Sequence, residues 1–140
     1  MAKRTHTLYK YMPRWVAKVY GILAIVTVPW TLYLALTLPT RHISNHWDIV
    51  WVGLDVGIII MLATTAFFAY IGTEWFVLAA TSTATLLIVD AWFDIWTARR
   101  GRELISAVVL AFVVELPLAV ITATLATKIM AEGMQERNLK

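Results

Sequence analysis

IVWVGLDVGIIIMLATTAFFAYIGTEWFVLAATSTATLLIVDAWFDIW, residues 49–96, consists of two apolar runs parted only by GTE at 72–74. Either run meets the length needed to cross a bilayer, ~20 mostly apolar residues rising ~1.5 Å each through a hydrocarbon core ~30 Å thick. That core holds no water, so an unpartnered backbone group costs several kcal/mol and each run must close its own hydrogen bonds as a helix. The apolar residues do not alternate as the strands of a barrel would. So short a link makes the two helices antiparallel neighbours.

Working outward, the same pattern recurs at 19–38 and 104–127. The connections at 39–48 and 98–103 are again short. The expected fold is therefore all-α, a four-transmembrane-helix antiparallel bundle forming one integral membrane domain over 1–140, with helices at about 19–38, 49–71, 75–96 and 104–127. Composition agrees. Of 140 residues, 60% are hydrophobic and 15% charged, and mean hydropathy is +0.71; soluble chains carry roughly half and a quarter. No cysteine is present, which excludes disulfides, thiol catalysis and thiolate-bound metal. The net charge of +3 sits mainly near helix ends, where it reads as an orientation signal rather than a nucleic-acid footprint.

Residues 1–18 form a basic leader with Lys3, Arg4, Lys10, Arg14 and Lys18. A secretory signal is not expected, because the following apolar run is too long and ends in LTLPT without a small-residue cleavage pattern. The leader has two readings: an amphipathic segment on an anionic leaflet, or a solvated tail that sets orientation. Together with Lys128, Arg137 and Lys140 it outweighs Arg41, Arg99, Arg100 and Arg102 on the opposite side. That balance places both termini in the cytoplasm, but it leaves the RRGR turn facing outward against the usual bias.

Two accounts fit that turn: a weakly biased, dual-topology protein, or arginines retained because acids on the same side need them. Antiparallel geometry puts Asp48 and Asp55 near the start of the second helix and Asp90 and Asp94 near the end of the third. Glu115 lies ~18 Å beyond Glu103 in the fourth, near the midplane. His42 and His46 cap the same end, with Arg99, Arg100 and Arg102 at the mouth. Asp90 with Asp94, and Asp48 with Asp55, have spacings that share a helix face. Charged groups in lipid cost at least ~2.5 kcal/mol, so such residues turn inward, pair, or are neutral. Two readings follow. In one, Asp55, Asp90, Asp94 and Glu115 carry protons or a cation, with a divalent ion on oxygen ligands as one form. In the other, the acids only form ion pairs with the arginines. Asp48 has a further reading as a helix N-cap, shared with Ser44 and Asn45.

Gly53 and Gly57 have the spacing that admits a close helix neighbour, and TSTAT at 81–85 supplies hydroxyls for interhelical bonds. Pro29 and Pro117 each remove a helix bond, and Pro117 should free the carbonyl of Val113. Tryptophans 15 and 75 fall at one interface and 47, 51, 92 and 96 at the other, as an aromatic belt requires. Trp30 is the exception, read first as a packing residue and second as a stacking wall for a small ligand.

No hydrolase elbow, zinc-protease motif, phosphate loop or mid-membrane histidine pair occurs, so neither enzyme chemistry nor a cofactor is expected. Whether a metal binds is left open. VPWTLYLALTLP (28–39), WDIVWVGLD (47–55), LLIVDAWFDIWTA (86–98) and ELPLA (115–119) resemble a group of small four-helix bacterial membrane proteins. That resemblance implies a bacterial inner-membrane setting and the four-helix fold, carries no activity, and contributes no site residue. A bundle of four helices is thin for a pore, so the expected partners, besides the lipid bilayer, are further copies of the chain or a larger membrane protein.

Overall fold

A computed structural model describes residues 13–38 and 45–138. It contains four helices long and apolar enough to span a membrane. Helix α1 is Arg14–Thr37, α2 Trp47–Ile71 and α3 Trp75–Thr97; the fourth span joins α4 (Arg102–Leu110), a π-helical segment (Ala111–Glu115) and α5 (Leu116–Asn138). The four-helix, all-α reading of the sequence is the observed fold.

Two boundaries differ from expectation. Residues 14–18, assigned to the leader, are the first turns of α1, because Val16 and Tyr20 are fully buried in the bundle and packing outweighs the local charge. The fourth span continues well past 127 because Ile129 and Gly133 are buried as well and the intervening Lys, Met, Ala and Glu are good helix formers. The rest of the leader and the 39–44 connection, including His42, lie outside the described residues. Gly72 ends α2 in the left-handed region with φ 67°, its N–H bonding the carbonyl of Phe68 at 2.9 Å. Gly101 opens α4 at φ 107°, again a conformation that suits glycine. Both tight links of the sequence reading therefore have a stereochemical cause.

The helices form two antiparallel pairs, α1 along α2 and α3 along the fourth span, joined through α2 against α3. Among the described residues α1 and the fourth span make no broad backbone contact; they meet through a hydrogen bond between the hydroxyls of Tyr20 and Thr122. The interior mixes small residues, Ala79, Ala80, Ala84 and Ala91 on α3 and Ala119 and Ala126 on α5, with a few large ones, Tyr20, Ile58, Leu62, Phe76 and Ile129. Large aliphatics such as Ile25, Leu36 and Val113 point outward. Lipid removes the hydrophobic drive between helices, so close backbone approach and hydrogen bonds do the joining. Thr65 and Thr83 share such a bond at 2.9 Å between α2 and α3, worth about 0.6 kcal/mol.

The small-residue signals divide. Thr83 works between helices, while Thr81 and Thr85 are exposed and bond back to the carbonyls of Val77 and Thr81. Gly53 and Gly57 have nothing among the described residues within 4 Å of the place a Cβ would occupy, so no described helix packs closely on them. The small contact between α1 and α2 falls instead at Gly21, whose Cβ position is 4.0 Å from that of Ala66.

Candidate functional site

Where α1 and α3 finish and α2 and α4 begin, the bundle forms a partly open cavity of about 410 Å³. Asp55 of α2, Asp90 and Asp94 of α3, and Glu115 of the π segment all line it. These are the four acids singled out from the sequence, and the structure brings them together. Asp90 is within electrostatic reach of Glu115, Asp94 and Asp55, as Asp94 and Glu115 each are of Asp55. Spacing explains the pair on α3, since residues four apart share a face.

Asp55 is the most enclosed, 4% exposed. Thr31 of α1 is close enough to act on its carboxyl electrostatically, and the Thr31 hydroxyl donates to the carbonyl of Thr27 at 3.0 Å. The Oδ2 of Asp55 and the Oε2 of Glu115 are buried with no hydrogen-bond partner, an arrangement that costs free energy unless something else complements them.

Glu115 faces the cavity because of the π segment. The buried stripe of the fourth span runs Ala107, Ala111, then Ala119, Thr122, Ala126 and Ile129, with Glu115 between. On a regular helix each four-residue step turns ~40° too far, so three in succession would carry the stripe ~120° off the bundle. The wide turn, in which the N–H of Leu116 reaches back to the carbonyl of Ala111, absorbs that drift. It sits immediately before Pro117, which has no N–H to donate.

The expected mouth residues separate. Arg99 lines the cavity, whereas Arg100 and Arg102 are exposed and do not. His46 is exposed and precedes α2 in the left-handed region at φ 62°; it therefore stands where Asp48 was expected as N-cap. Asp48 lies in the first turn of α2, where it complements the helix dipole. It does not line the cavity, and its Oδ1 is buried without a partner. The shared face of Asp48 and Asp55 does not bring both to one site: only Asp55 lines the cavity.

The second reading of Trp30, as a stacking wall, matches its place in the cavity lining, whereas Tyr33 and Trp51 were not expected there. Trp30 and Tyr33 of α1, ring centres 5.8 Å apart, line the cavity with Trp51 of α2. Trp51 is 8% exposed and packs edge-on to Phe93, so it belongs to the core and not to the interfacial belt. Trp15, Trp75, Trp92 and Trp96 are exposed as a belt requires. Glu103 also lines the cavity. The signal for α1 was the polar pair Thr27 and Thr31, four apart on an apolar helix, beside Trp30.

Among the described residues no three His, Asp or Glu side chains converge closely enough to hold a metal ion. The acids share a chamber without forming a cage. The chain matches no family model, no curated protein and no solved structure.

Proposed function

We propose that this multi-pass membrane protein handles protons or a monovalent cation through the carboxyls of Asp55, Asp90, Asp94 and Glu115, in a transport or channel-like role and without enzymatic chemistry. One observation carries the reading: acids from three spans line a single cavity that begins at one end of the bundle and reaches Glu115 near mid-depth. Intramembrane acids that face a cavity are the usual elements of proton and ion pathways. The scattered placement of the carboxyls suits stepwise transfer better than the six to eight converging oxygens a calcium ion takes. We place the protein in the inner (plasma) membrane with both termini cytoplasmic, and acting as a homo-oligomer or beside a larger membrane partner.

Arg99 on the cavity wall favours a second reading, an accessory subunit whose acids are there to pair with arginine. Flux assays separate the two. Purified protein in proteoliposomes should pass protons, and Asp90→Asn and Asp94→Asn should each cut the flux at least ~10-fold while melting like the wild type. Absence of wild-type proton and cation flux, or neutral variants that fail to assemble, would move the assignment to the accessory role.

A further inference from the structure

A proton path needs no chamber of about 410 Å³, a volume inside the ~300–1,000 Å³ range of small-molecule sites. Its wall combines two features that belong together in one kind of recognition. On one side are carboxyls, including the buried and unpartnered oxygens of Asp55 and Glu115. On the other are the rings of Trp30, Tyr33 and Trp51. Among the described residues lining this cavity are five acids, with Glu103, and one arginine, which disfavours an anion. The lack of a convergent ligand set among the described residues disfavours a bare metal ion. What remains is a cation whose charge is spread over an apolar body. Such an ion is attracted by aromatic rings and balanced by carboxylates without donating hydrogen bonds.

We infer that the cavity is a binding site for a lipophilic organic cation of the quaternary onium class, held between Asp55 and Glu115 and the rings of Trp30, Tyr33 and Trp51. The inference rests on the reading of this cavity as the working site and names its ligand class. Trp30 is then a contact residue, which accounts for a half-exposed tryptophan placed mid-helix beside Pro29.

Tetraphenylphosphonium is a suitable probe, with neutral triphenylphosphine oxide as its uncharged counterpart. Titration calorimetry on the purified, detergent-solubilised full chain should show one saturable phosphonium site per chain and at least ~10-fold weaker binding of the oxide. Asp55→Asn should weaken phosphonium binding at least ~10-fold, and Trp30→Ala by roughly 3- to 30-fold, the span of a desolvated cation–π contact. Trp92→Ala, on the exposed face beside Trp96, should leave binding unchanged. Trp30 is half exposed, so its variant keeps the test open if Asp55→Asn folds poorly. Equal binding of the two probes, or binding indifferent to both cavity variants, would mean partition onto apolar surface and overturn the inference. So would proton flux in liposomes with no saturable phosphonium binding. Saturable, acid-dependent binding without proton flux would uphold the site and remove the relay.

Discussion

Asp55 concentrates the chemistry of the site in one side chain. It is nearly fully enclosed, lines the cavity, and keeps one buried oxygen with no hydrogen-bond partner among the described residues. Asp48, one face-repeat earlier on the same helix, has a buried oxygen too but lies outside the cavity. Replacing each by its isosteric amide therefore has different consequences. Asp55→Asn should reduce proton flux at least ~10-fold in liposomes with a melting temperature within a few degrees of wild type. Asp48→Asn should leave flux intact; a loss there equal to that of Asp55→Asn would show that the path does not follow the cavity. Both acids were legible in the sequence as inward-facing candidates. Their separation was not, because helical periodicity gives a face and not the depth at which neighbouring helices close over it.

At the scale of elements, the fourth span depends on its wide turn. The π segment amounts to one extra residue inserted in an otherwise regular stripe. Deleting exposed Val113 should then yield a plain helix with both flanks still in phase, Glu115 still on the cavity side, and flux retained. Deleting exposed Val120 instead should rotate Ala126 and Ile129 away from α3 and lower the melting temperature sharply. Flux and thermal melting of the two single deletions, side by side, check this. Equal damage from both would mean that the wide turn does not accommodate an extra residue. Pro117 signalled an irregularity from the sequence alone. That it takes the form of a π turn, with Glu115 kept on the bundle face, follows from the packing of Ala107 and Ala111 above it and Ala119 below.

For the whole molecule, two helix pairs meet firmly through α2 and α3 and only lightly between α1 and the fourth span. Four spans put the 72–74 link on the side of the termini and the 39–48 connection on the other. Because the chain has no cysteine, single substitutions Ser44→Cys and Thr73→Cys report this directly. In intact cells an impermeant maleimide should label Ser44→Cys only. Labelling of Thr73→Cys alone would reverse the proposed orientation, and labelling of both would contradict four spans.

The sequence by itself determined that this chain is a bundle of four membrane helices, because length, apolar content and backbone hydrogen bonding leave lipid no other solution for these runs. It also determined which acids are candidates, since a carboxyl in an apolar helix has few tolerable places. Only the tertiary structure decided that Asp55, Asp90, Asp94 and Glu115 share one chamber and that Asp48, Arg100 and Arg102 do not line it. It likewise set Trp30, Tyr33 and Trp51 into the wall, and left Gly53 and Gly57 without a close neighbour among the described residues. The physical reason is that lipid is as apolar as the side chains it meets. Hydrophobicity therefore cannot say which face of a membrane helix turns inward, and the close fit of alanines and threonines between helices makes that choice.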